Sequence, residues 1–98
     1  MKFKIFGANR KKAHIKTLFT IIRDALNQDD ENKVHFACGY ASALYNEGHI
    51  DDMDLKLVST IIAYVDEYFG KDFKRGEVED FLKKRNEMID KAEEVLLV

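Results

Sequence analysis

The chain has 98 residues, 46% hydrophobic and 35% charged, with one cysteine, no proline and a formal net charge of −2. That length holds one compact domain, and that composition excludes general disorder. No stretch approaches the roughly 20 apolar residues of a membrane span, and the basic start MKFKIFG lacks the apolar run and small-residue cleavage site of a secretory signal.

The small net charge conceals an asymmetry. Residues 1–16 carry six basic side chains and no acidic one, which leaves ten basic against eighteen acidic residues in the remainder. Cys38 has no partner for an internal disulfide, so stability is expected from packing, and a reducing cytoplasm is the expected compartment. There is no linker or repeat to mark a second domain, and 10–98 is read as one.

In chain order, Met1–Gly7 alternates Phe3 and Ile5 with Lys2 and Lys4, a strand-like pattern. Residues 1–9 are therefore predicted to form an extended basic arm, or a short strand pairing with another chain. Ile15, Leu18, Phe19, Ile22, Ala25 and Leu26 follow the i, i+3, i+4 rule and predict a helix over 10–27. Gln28–Glu31 interrupts it and supplies an N-cap carboxylate for a second helix over 30–46, which ends where Gly48 can turn left-handed. Asp51 is the expected cap of a third helix, with Asp52 and Asp54 in its first turn and Ile50 stapled to Leu55. It runs to Phe69 and stops at Gly70. A fourth starts between Asp72 and Glu77 and continues through Val95, with four-apart ion pairs Glu79–Lys83, Asp80–Lys84 and Glu87–Lys91.

The third helix carries two adjacent apolar stripes (Leu55, Val58, Ile62, Val65, Phe69 and Leu57, Ile61, Tyr64, Tyr68), covering about half its circumference. The second is broader and rich in small residues, so helices two and three are expected at the centre and one and four on the flanks. Short connections favour antiparallel neighbours. The fold class is all-α: a small antiparallel four-helix bundle with an extended N-terminal arm.

Catalytic parts are scarce. His35 and Cys38 lie three apart, whereas zinc sites take three or four ligands. They read as a surface histidine and a half-buried thiol. The run Asp51-Asp52-Met53-Asp54 lacks the spacing, glycine and glutamate of a calcium loop, and capping explains it. Cysteine chemistry would require Cys38 beside His14 or His49. No phosphate-cradling glycine loop, serine elbow or zinc-protease pair is present. No catalytic residue, metal or cofactor is expected; a metal-binding protein or small enzyme is the third-ranked reading.

What remains is a binding role. Helix four places Arg85 in the middle of its apolar stripe (Val78, Phe81, Leu82, Met88, Ile89, Ala92, Val95, Leu96). The guanidinium either snorkels, pairs with an acid on another helix, or meets a partner. Tyr64 and Tyr68 lie one turn apart and suit a half-wet surface. With Phe36, Tyr40, Leu57, Ile61 and Arg85 they form the expected contact residues of a small cytoplasmic regulator, adaptor or inhibitor that binds another protein. A second copy of the chain is the alternative partner, because wide apolar arcs on so small a chain can be buried between copies. The rival reading is a nucleic-acid-binding accessory protein using Lys2, Lys4, Arg10, Lys11, Lys12 and Lys16 on the phosphate backbone. Helix-turn-helix readout is disfavoured, because the third helix would point three aspartates at phosphates.

Overall fold

The computed structural model describes residues 2–98, with side chains described from Arg10 onward. Four helices follow one another: α1 (Lys2–Asn27), α2 (Glu31–Asn46), α3 (Asp52–Gly70) and α4 (Glu77–Leu97). The connections between them are too short to do more than reverse the chain, so successive helices run antiparallel. Cross-helix pairs fix that sense. Arg23 and Asn27 near the end of α1 meet Asp90 and Asn86 of α4, and Glu67 near the end of α3 meets Arg85. Lys11 and Asp54 join the early parts of α1 and α3, which are parallel across the diagonal. The arrangement is the all-α four-helix bundle expected from periodicity.

Helix boundaries follow local chemistry. Asp30 caps α2 by accepting from the Asn32 amide at 3.1 Å. At α3, the Asp51 carboxylate accepts from the Asp54 amide at 2.8 Å, and the Asp51 amide donates to the Asp54 carboxylate at 3.1 Å. This reciprocal capping box satisfies two backbone donors that the first turn would otherwise orphan. Ile50, just before it, is buried in the core. Gly48 after α2 and Gly76 before α4 have φ of 80° and 90°, a left-handed backbone that side chains disfavour.

Three expectations change. First, α1 begins at Lys2, so the backbone of residues 2–9 is helical rather than a strand; Met1 lies outside the described residues. A lone strand would leave its backbone groups without a ladder, whereas an established helix adds one hydrogen bond for each residue it fixes. Second, α1 shares the centre with α3, which was expected there, and α2 takes the flank. Among the described residues, α1 and α3 each pack against all three other helices, while α2 touches only α1 and α3. Ile15, Leu18, Phe19, Ile22, Ala25 and Leu26 are all at most 1% exposed. The apolar arc of α2 is wide in sequence, but its small and aromatic residues Phe36, Cys38 and Ala43 face away from the core. Its buried set is only Val34, Ala37, Ala41 and Leu44. Third, α4 buries Ile89, Ala92 and Leu96, but Val95 is 66% exposed. Of the three expected four-apart ion pairs, only Asp80–Lys84 closes among the described residues, at 3.1 Å.

Polar pairs lock α1 to α4. Arg23 donates to Asp90 at 2.9 Å and also to Glu93. Asn27 and Asn86 exchange side-chain amide hydrogen bonds in both directions, at 3.0 and 2.9 Å. Each amide presents one donor and one acceptor to the other, which fixes the register of the helix pair as well as its proximity. Among the described residues, no helix is long and apolar enough to cross a membrane.

Candidate functional site

The face shared by α3 and α4 gathers most of the residues expected to make contacts. The spacing of Leu57, Ile61, Tyr64 and Tyr68 places all four on the side of α3 turned toward α4. Ile61, however, is only 5% exposed and belongs to the core. Leu57 is half-buried. It lines a groove of about 500 Å³ with Met53, Thr60, Val95 and Leu96, while Asp54 and Lys56 also border it. Met53 and Val95 are 78% and 66% exposed, so this groove opens between two large apolar side chains.

At the other end of the same face lies an aromatic cluster. Tyr68 is half-buried and packs its ring on Phe69, Phe73 and Phe81, with centroids 5.1, 5.5 and 6.0 Å away. The Arg85 guanidinium lies 4.5 Å from the Phe81 ring and 5.2 Å from that of Tyr64, and it donates to Glu67 at 2.8 Å. The Lys71 ammonium lies 5.3 Å from Phe81. Arg85 therefore pairs with an acid on another helix, the second of its three expected readings. Its Nε is buried with no hydrogen-bond partner among the described residues. Tyr64, at the rim, is exposed. A stacked, ion-paired arginine beside an open tyrosine is held in place before anything binds, which reduces the side-chain entropy lost on contact.

Phe36 and Tyr40 do not join this face. They stack on each other on α2, with ring centroids 6.4 Å apart, and α2 has no contact with α4 among the described residues. The Tyr40 hydroxyl lies 2.9 Å from His14 Nδ1, and the His14 ring lies 4.6 Å from that of His49. The two histidines offered as bases for Cys38 are thus engaged with each other and with Tyr40. Cys38 is exposed rather than half-buried. It lines a separate α2–α3 groove of about 280 Å³ with His35, Ser42, Ser59 and Ala63. Among the described residues, no three His, Cys, Asp or Glu side chains converge as a metal site.

The basic residues also divide. Arg10, Lys12 and Lys16 are exposed, whereas Lys11 is 2.9 Å from Asp54. The side chains of Lys2 and Lys4 lie outside the described residues. Burial opposes ionisation of Asp54, but the hydrogen bond from Lys11 and that from the Asp51 amide outweigh it and lower its pKa below the ordinary value.

Sequence reasoning missed Met53, Val95, Lys71 and Phe73. Met53 sits four residues before Leu57 and so extends the second stripe of α3, a signal masked by the capping aspartates around it, and Val95 fits the stripe of α4 but falls where no neighbouring helix covers it. Lys71 and Phe73 belong to a connection that carries no periodic signal. Comparison with protein-family models, with curated proteins and with solved structures finds no match for this chain.

Proposed function

We propose that this protein is a small, non-enzymatic cytoplasmic binding module that acts as a regulator, adaptor or inhibitor by covering part of another protein with its α3–α4 face. The observation that carries this reading is the open apolar groove between Met53 and Val95, with Leu57 along it. Burying an exposed side chain of this size contributes about 1.5–3 kcal/mol. Methionine adapts its shape to an irregular partner. Tyr64 and the clamped Arg85 extend the face with two of the residue types that most often anchor protein interfaces. The test is affinity capture from the native host with the full chain, beside Met53→Asp and Tyr64→Ala variants. A specific partner should be retained by the unaltered chain and lost by both variants, whose thermal unfolding should stay close to that of the parent. Retention of the same partner by both variants, or no partner at all, overturns the reading.

A second reading, nucleic-acid binding through α1, is favoured by the exposure of Arg10, Lys12 and Lys16. The pairing of Lys11 with Asp54 removes one cation from that set.

A further inference from the structure

The outer face of α2 has properties that neither the bundle nor the α3–α4 face uses. Residues 34–46 contain no Asp, Glu, Lys or Arg, the longest such run in a chain that is 35% charged. Gly39 lies in the middle of it. Its backbone has no positive φ, and a Cβ added there would meet nothing within 4 Å. Neither conformation nor packing within the chain therefore calls for glycine, although glycine inside a helix costs about 1 kcal/mol relative to alanine. One turn before it, Phe36 is 62% exposed.

We propose that this face joins two copies of the chain, with the two α2 helices antiparallel about a two-fold axis at Gly39. A two-fold interface must be self-complementary: if residue i meets residue j, then j meets i. Antiparallel pairing about Gly39 sets Phe36 of each copy against Ala43 of the other, His35 against Ser42, and Asn32 against Asn46. Apolar meets apolar and hydrogen-bonding group meets hydrogen-bonding group. All six are exposed in the single chain. The spacing of 32, 35, 39, 42 and 46 alternates three and four, the repeat that keeps one helix seam against another. Glycine at the crossing lets the two backbones approach closely. Charge points the same way. A face meeting its own copy brings like charges together, and this one carries none at its centre. At its rim, Lys33 of one copy comes to the same side as Glu47 of the other.

Light scattering or sedimentation of the full chain over a wide dilution range tests this. The unaltered protein should show twice 11.4 kDa at the concentrated end. Gly39→Leu should return it to 11.4 kDa with helicity intact, since the space around position 39 is open within the chain. Oxidation of a Cys38→Ser/Gly39→Cys variant should link two chains, and a cysteine at exposed Thr20 in the same background should not. Met53→Asp, on the α3–α4 face, should remain a dimer, which separates this surface from the one proposed above. A monomer at every concentration overturns the proposal. So does a dimer that survives Gly39→Leu, one that dissociates on Met53→Asp, or a position-39 cysteine that links chains no better than one at position 20.

Discussion

Lys11 Nζ lies 2.9 Å from the Asp54 carboxylate, so a cation from the basic start of the chain closes onto the first turn of α3. The same carboxylate accepts the Asp51 amide, and the Asp54 amide donates to Asp51 in return. One side chain thus completes a helix cap and ties α1 to α3.

Asp54 has its pKa lowered in the folded state, mainly by Lys11 and the Asp51 amide acting against burial. A carboxyl of this kind contributes stability above its unfolded pKa, about 3.9. That contribution is lost as pH falls through the lower folded value. Asp54→Asn should cost up to about 1 kcal/mol at neutral pH, the usual worth of a first-turn carboxylate paired with a partly exposed lysine. The gap between variant and parent should shrink as pH drops below the usual carboxylate range. Urea unfolding of both proteins as a function of pH gives the difference directly, and a gap that does not change with pH contradicts the assignment.

Arg85 separates packing from charge. Its guanidinium stacks beside Phe81 and Tyr64, while Glu67, its ion-pair partner, is half exposed. A double-mutant cycle between Arg85 and Glu67 should therefore give a coupling of no more than about 1 kcal/mol. Arg85→Met keeps an apolar stem on the rings and should cost less than Arg85→Ala. Arg85→Lys should not behave as a conservative change, because an ammonium lacks the planar fork that stacks and donates together.

Phe19 and Met53 stand far apart in apolar exposure. Phe19 is 0% exposed and Met53 is 78% exposed. Phe19→Ala should destabilise the fold by about 3–5 kcal/mol through lost transfer and a residual cavity. Met53→Ala should stay within about 0.5 kcal/mol of the parent. Equal losses in chemical denaturation would mean that the Met53 groove is closed in solution.

Nucleic-acid binding makes a prediction of the opposite kind. If Arg10, Lys12 and Lys16 engage phosphates, a complex seen at low salt should weaken steeply as salt rises. Reversing Lys12 and Lys16 to glutamate should abolish it. The α3–α4 reading expects no mobility shift with single- or double-stranded nucleic acid at low salt. A salt-sensitive complex would move the function to α1.

The helices were legible because their signals are local. Asp30, Asp51 and the punctuation at Gly48 mark ends through backbone chemistry that needs no distant residue. The rank of α1 against α2 was not legible. Counting apolar residues cannot tell the buried Ala41 from the exposed Ala43 on α2, since that difference depends on which side a neighbouring helix takes. Val95 fails for the same reason, lying at the open edge of the α4 stripe while Ala92 and Leu96 beside it are buried. Arg85 was recognisable as an anomaly on its stripe, but its resolution by Glu67, Tyr64 and Phe81 required the pairing of α3 with α4. Phe36 and Tyr64 share a sequence character, and only the bundle order shows that they sit on different faces.

The central position of α1 has a consequence for how the protein is made. Of the four helices α1 leaves the ribosome before the others, yet its contacts with Asp90, Glu93 and Asn86 come from the last of the four. Part of its apolar stripe therefore stays uncovered through most of translation, with α2 shielding one flank as soon as it emerges. Closing α4 onto α1 joins positions some 60–70 residues apart, the most distant in sequence of the cross-helix polar contacts. Contacts of that separation slow folding, because loop entropy is lost before they form. Docking of α4 is thus the step at which an incomplete chain is most exposed to misassembly, and Arg23 with Asn27 supplies the polar latch that ends it.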